Sequence, residues 1–226
     1  MEDLIIVSLG GSLIVPEEID TDFLKKFREL VLKYVDKGKK FILITGGGKV
    51  CRKYQSAAAG VRHLEKEDLD WLGIHSTRLN AHLVRTIFRD VAHNRVVKDP
   101  NEKVDFKESV LVAAGWKPGC STDYDAVLLA KTYGVKKVAN LTNIEYVYDK
   151  DPKKFDDAKK IEHISWDDFR KIVGDKWDPG LNLPFDPMAS KGAHELGLEV
   201  AIMGGSDLDN FESYINGNEF KGTTIS

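Results

Sequence analysis

The chain has 226 residues, 42% of them hydrophobic, with 33 Lys and Arg against 36 Asp and Glu for a formal net charge of −3. The interspersed signs exclude the basic field that nucleic-acid binding requires, while the apolar content sustains one sizeable core, so a single domain over residues 1–226 is expected. Cys51 and Cys120 lack close metal-ligand spacing and fit a reducing compartment; apolar runs such as Leu4–Val7 and Phe41–Ile44 are far too short to span a bilayer, and a soluble, cytoplasmic, membrane-free protein is expected.

Leu4–Leu9 is a continuous apolar run ending in glycine, the pattern of a strand buried on both faces of a parallel sheet. A helix follows, capped by Asp20, with Phe23, Leu24, Phe27, Leu30, Val31, Tyr34 and Val35 at helical spacing before Gly38. Phe41–Thr45 is the next strand, and a glycine triplet leads into a helix through Lys53 and Ala57–Ala59. A long helix is expected from about Glu67 to Ala92, with Leu69, Leu72, Leu79, Leu83, Val84 and Ile87 on its apolar side. Ser109–Ala113 reads as a strand, Asp123–Tyr133 as a helix and Lys136–Thr142 as a strand. Asp186–Leu196 reads as a helix leading into strand Glu199–Met203. Such alternation is the signature of an α/β fold, a three-layer α/β/α sandwich on a mostly parallel sheet.

Three strand ends are glycine-rich: Gly10-Gly11-Ser12, Gly46-Gly47-Gly48-Lys49 and Gly204-Gly205-Ser206. A glycine turn between a buried strand and a helix lets backbone N–H groups approach phosphate with no β-carbon intervening. Two such turns in the first fifty residues suggest two phosphate-bearing ligands, the outline of a phosphotransferase. Arg52 on the first turn of the second helix offers a guanidinium that grips phosphate by two parallel hydrogen bonds. Neither turn matches G-x-x-x-x-G-K-[ST] or G-x-G-x-x-G. Taken alone, Ser121-Thr122-Asp123 and Asp186 also read as helix caps.

These turns do not stand alone. Asp70-x-x-Gly73-Ile74-x-x-Thr77-Arg78-x-Asn80-Ala81 follows, then Pro118-Gly119-x-Ser121-Thr122-Asp123 with Ala126. After these come Thr142-Asn143, Val147-Tyr148-x-x-Asp151-Pro152, Asp186-Pro187-x-Ala189 and a Gly222-Thr223-Thr224-Ile225 ending. In this order the motifs resemble the amino acid kinase superfamily, specifically the archaeal-type uridylate kinases, over essentially the whole chain. The resemblance implies transfer of the ATP γ-phosphoryl group to UMP, with Mg²⁺, in a protein that assembles as a hexamer. It places Gly10, Gly11 and Ser12 at the ATP phosphates and Thr142, Asn143, Tyr148 and Asp151 at the ATP base and ribose. For UMP it implies Gly46, Gly47 and Gly48 with Arg52 at the phosphate. Asp70 would hold the ribose hydroxyls, Gly73 and Thr77 would form the same wall, and Gly119, Ser121 and Thr122 the uracil and phosphate side. Arg78 is left as either a ligand contact or a structural ion pair. Asp123, with Arg52 and Lys49, would organise phosphoryl transfer, with Asp186 a second carboxylate candidate.

The departures matter as well. Most members of the superfamily carry a lysine two residues before the first glycine turn, where this chain has Ser8, so the charge burden shifts to Arg52, Lys49, Lys191 and Mg²⁺. Glu145-Tyr146 replaces the usual Asp-Gly of the ATP loop, and Lys131 stands where the family commonly has Glu. Ser8 and Glu145-Tyr146 favour the alternative of a non-catalytic, ATP-binding relative with a regulatory or oxyanion-storage role; phosphorylation of another small phosphate monoester is a third reading. Histidines 63, 75, 82, 93, 163 and 194 form no metal-ligand pattern, so no protein-only metal site is expected. The Pro-, Gly- and Asp-rich segment Trp177–Pro187 reads as either a cover over the nucleotide site or a connector.

Overall fold

A computed structural model describes residues 3–152, 154–174 and 183–226. Its apolar runs become the central strands: β1 (Leu4–Leu9), β2 (Lys40–Thr45), β3 (Val110–Ala113), β4 (Lys137–Thr142) and β8 (Glu199–Gly204). All five lie parallel, and β9 (Thr223–Ile225) then pairs antiparallel with β8 and parallel with β7 (His163–Ile164). The order is β3-β2-β1-β4-β8-β9-β7, with β5 (Val147–Tyr148) and β6 (Lys160–Ile161) in a separate antiparallel pair. The mostly parallel sheet expected from the sequence is therefore present, and the C-terminal strand β9 is an addition too short for periodicity to announce.

Side chains alternate across a strand, so each central strand feeds two cores. Val7, Leu9, Phe41 and Leu43 pack with α2 (Thr21–Val35), α4 (Lys66–Ile87) and α8 (Leu208–Ile215). Ile6, Ile42, Ile44 and Val138 pack on the other face with α5 (Thr122–Tyr133), α6 (Trp166–Val173) and α7 (Pro187–Leu196). The remaining helices, α1 (Gly11–Ile14) and α3 (Gly48–Ala59), start directly after the glycine turns of β1 and β2. The Asp20 carboxylate accepts from the Phe23 N–H and caps α2 as expected.

Two expectations need correction. The long helix ends at Ile87, not Ala92, because Phe88 leaves helical geometry. Leu79 is 61% exposed and not on the inner face, which is Ile74, Ala81 and Val84 with the polar Ser76, Thr77 and Asn80. Leucines recur on more than one side of α4, and the buried stripe proves to be the one whose Asn80 side chain hydrogen-bonds the second glycine loop. Most of Trp177–Pro187 lies outside the described residues.

Candidate active site

In a sheet of this kind ligands gather beyond the carboxyl ends of the strands, where the strand order reverses. Here that point lies at β1, flanked by β2 and β4, and the glycine turns stand there. The first two turns are interlocked. A β-carbon on Gly11 would lie 2.1 Å from the Gly48 nitrogen and 2.6 Å from the Gly46 carbonyl carbon. Gly48 adopts φ +63°, in the left-handed region, and a β-carbon there would meet the Gly11 oxygen at 2.3 Å.

The amides of Gly10 and Gly46 are spent on the sheet, bonding the carbonyls of Leu141 and Leu9. The next N–H groups, of Gly11 and Ser12 in one loop and Gly47 and Gly48 in the other, meet no backbone acceptor among the described residues. They are the unsatisfied donors that open α1 and α3. Asn80 holds the second loop in shape, its amide donating to the carbonyls of Gly46 at 2.8 Å and Gly47 at 3.2 Å. Sequence reasoning gave Asn80 no role; it is buried on the inner face of α4 beside Thr77 and Ala81.

Around these loops the site residues divide. Ser8 and Asn140 are cross-strand partners on β1 and β4, and both reach Asp123: Ser8 Oγ donates to its Oδ1 at 3.3 Å and Asn140 Nδ2 at 3.4 Å. Burial, then the neighbouring Asp186, pushes the Asp123 carboxyl up to about 7. Asp186 caps α7 by accepting from the Ala189 N–H at 2.7 Å, leaving its buried Oδ2 without a partner; burial raises its pKa as well. Ser121 caps α5 through the Tyr124 N–H, as its isolated reading suggested. Thr122 and Asp123 form the first turn of that helix.

On the α4 side, Asp70 Oδ2 accepts from the Gly119 N–H at 2.8 Å, so Asp70 ties two segments together and is more than a surface carboxylate. Gly73 lies beneath Gly47, and Thr77 Oγ1 accepts from the Gly115 N–H at 2.8 Å while its carbonyl accepts from Thr45 Oγ1. Thr142 ends β4 next to Gly10, and Asn143 follows it. Tyr148 and Asp151 belong to the small β5–β6 region, where Asp151 ion-pairs with Lys154.

The two cations of the second loop differ. Lys49 Nζ lies 2.8 Å from Glu17 Oε1, which holds the Glu17 carboxyl below its ordinary range. Arg52 is exposed one turn further on and makes no hydrogen bond or ion pair among the described residues, beside a groove it shares with Lys49, Lys53 and Ser56. Both thiols are pushed up by burial, Cys120 to about 11, and are poor nucleophiles.

A further carboxylate escaped sequence reasoning. Asp125 is fully buried in α5, accepts from the Trp116 N–H at 3.1 Å and leaves Oδ1 without a partner. Burial pushes its carboxyl up to about 7. Unfolded aspartate titrates near 3.9, so between the two values the folded state binds the extra proton and stability falls as pH rises. Urea unfolding in magnesium-free buffer at pH 5 and pH 8 should show wild type losing more stability over that step than Asp125→Asn, by roughly 2 kcal/mol given ~1.4 kcal/mol per pKa unit. Equal losses would mean that Asp125 does not titrate in this window.

The fold and this rim define a phosphotransferase class. The model of the Amino acid kinase family matches residues 3–204, and the chain belongs to that family. Relatives named uridylate kinase match it end to end. That of Methanobrevibacter smithii is 32% identical, covering 98% of this chain and 99% of its own, and that of Pyrococcus abyssi is 33% identical, covering 98% of both. The crystal structure of uridylate kinase from Archaeoglobus fulgidus superposes with a TM-score of 0.82 at 28% identity, over 98% of this chain and 99% of that one.

Proposed function

We infer that the protein transfers the γ-phosphoryl group of ATP to UMP, giving ADP and UDP. The observation that carries this is the interlocked pair of glycine loops, each with unspent amides at the head of a helix on adjacent strands. Gly10, Gly11 and Ser12 receive the ATP phosphates, and Thr142, Asn143, Tyr148 and Asp151 the rest of that nucleotide. Gly46, Gly47 and Gly48 with Arg52 hold the UMP phosphate. Asp70, Gly73, Thr77, Gly119, Ser121 and Thr122 form the wall for its ribose and base. The UMP phosphate is already ionised near neutral pH, so no general base is required, and catalysis reduces to in-line positioning and charge neutralisation. Lys49, committed to Glu17, contributes less than Arg52.

Among the described residues no cluster of three potential ligands could hold a metal by protein atoms alone. The donor set does suit Mg²⁺ carried in with ATP, because that ion takes one or two carboxylates together with substrate phosphates. Asp123 and Asp186 would hold it, and the unpartnered Asp186 Oδ2 fits that use. Bound there, Mg²⁺ neutralises charge developing on the transferred group. Asp123→Asn should lower kcat about a hundredfold with little change in the KM for UMP. A rise in KM with kcat intact would instead make Asp123 a ground-state contact.

No helix among the described residues is long and apolar enough to cross a membrane. A cytoplasmic location and one domain over residues 1–226 complete the reading. Assembly as a hexamer comes from the family reading; α3, which has no buried residue, and exposed Tyr54, Val61, Trp71 and Leu79 on α3, α4 and their connection offer apolar surface for self-association. Coupled ADP release across UMP, CMP, AMP and isopentenyl phosphate tests the activity. ADP with UMP supports it, while none with any acceptor points to a binding relative and ADP only with another acceptor to a different monoester kinase.

A further inference from the structure

Between β3 and α5 the chain runs through residues 114–121, and two charged side chains grip it from opposite sides. Arg78, on α4, donates from Nε to the Gly115 carbonyl at 3.3 Å and from Nη2 to the Trp116 carbonyl at 2.9 Å. Asp125, on α5, accepts from the Trp116 N–H at 3.1 Å. The segment is thus held through the carbonyls of Gly115 and Trp116 by the Arg78 guanidinium and through the Trp116 amide by the Asp125 carboxyl.

This is an expensive arrangement. The residues after Asp125, from Ala126 to Ala130, are apolar and buried, so an apolar side chain at 125 would suit the helix. Instead α5 buries a carboxyl group with one oxygen unpartnered, which costs free energy that an apolar side chain would not. The helix N-terminus, in whose first turn Asp125 lies, offsets part of that cost. What the clamp fixes is the base of a loop whose tip, at Gly119 with φ +80°, bonds Asp70.

We propose that Asp125 and Arg78 are positioning residues for the acceptor nucleotide, clamping the Gly115–Trp116 peptide so that the loop carrying Gly119 and Ser121 stands at a fixed distance from Asp70. This rests on the assignment of that loop and Asp70 to the UMP wall. Neither clamp residue touches the reacting phosphates, so its loss affects acceptor binding rather than the chemical step.

Steady-state kinetics and hydrogen–deuterium exchange on Asp125→Ala, Asp125→Asn and Arg78→Lys test the proposal. Asp125→Ala and Arg78→Lys should each raise the KM for UMP about tenfold, the scale of one lost hydrogen bond to a charged group. The KM for ATP and kcat should stay within about twofold. Asp125→Asn keeps an oxygen for the Trp116 N–H and should recover most of the UMP affinity. Without any nucleotide, amides of 115–121 should exchange about tenfold faster in the first two variants, while those of 126–133 keep their protection. Equal rises in both KM values, faster exchange throughout α5, or unchanged exchange in 115–121 would each overturn the clamp. If Asp125→Ala does not fold, Arg78→Lys and Asp125→Asn decide. If wild type does not phosphorylate UMP the functional reading fails separately, and the nucleotide-free exchange still decides whether the clamp exists.

Discussion

Alanine at position 11 should slow phosphoryl transfer by about a hundredfold or more and lower the melting temperature. The added carbon would sit 2.1 Å from the Gly48 nitrogen and 2.7 Å from the Gly47 nitrogen. Both are backbone atoms, so no rotamer change relieves the collision; β1 and β2 must separate at their carboxyl ends or one loop must be displaced. Overpacking of this kind typically costs 1–3 kcal/mol, and the absence of any adaptable side chain puts Gly11→Ala at about the upper end. Displacing either loop also moves the amides that would hold the two phosphates, and a small misplacement of reacting groups costs about a hundredfold in rate. Thermal unfolding and the ADP-release assay check both halves. A variant that melts like wild type and keeps its kcat would show that the two loops are not in contact.

Removal of the Arg52 guanidinium should weaken UMP by roughly 2 kcal/mol or more, about a thirtyfold rise in KM, the scale of a charge-assisted phosphate contact. The structure sharpens this expectation by comparison with its neighbour. Lys49 is committed to Glu17, whereas Arg52 stands exposed at the groove over the start of α3 with no side-chain partner among the described residues. Lys49→Ala should therefore raise the KM for UMP by less than Arg52→Ala. An unchanged KM in Arg52→Ala would remove that residue from the site, and a larger effect at Lys49 would mean that the Glu17 pair opens when nucleotide binds.

Much of this arrangement was legible in the chain itself, and the reasons are local. Strands β1 and β2 announced themselves because runs buried on both faces leave no polar alternation, and glycine followed each where a helix had to start. Asp20, Ser121 and Asp186 were readable as caps because a cap acts on amides three residues away. What escaped depends on distant parts of the fold. Leu79 satisfies helical spacing yet faces outward, since the inner stripe of α4 is fixed by where Thr45 and the Gly46–Gly47 carbonyls lie. The commitment of Lys49 depends on the path of the chain after α1, which brings Glu17 alongside α3. Asp125 was illegible because nothing in its neighbours says that a carboxylate will be sealed inside; only the path of the segment between β3 and α5, which turns the Trp116 N–H toward the helix, gives it a partner.

Placing the two anion-binding loops on neighbouring strands has a consequence for how such a catalyst works. Leu9 of β1 and Thr45 of β2 are register partners, so the loops that follow them begin one strand width apart, about 4.8 Å, a separation maintained by the ladder of main-chain hydrogen bonds. The ruler between donor and acceptor is then the sheet itself, and no lobe has to swing shut merely to bring the two nucleotides within reach. Any motion in the catalytic cycle is left free to serve a different end, that of keeping bulk solvent away from the group in flight.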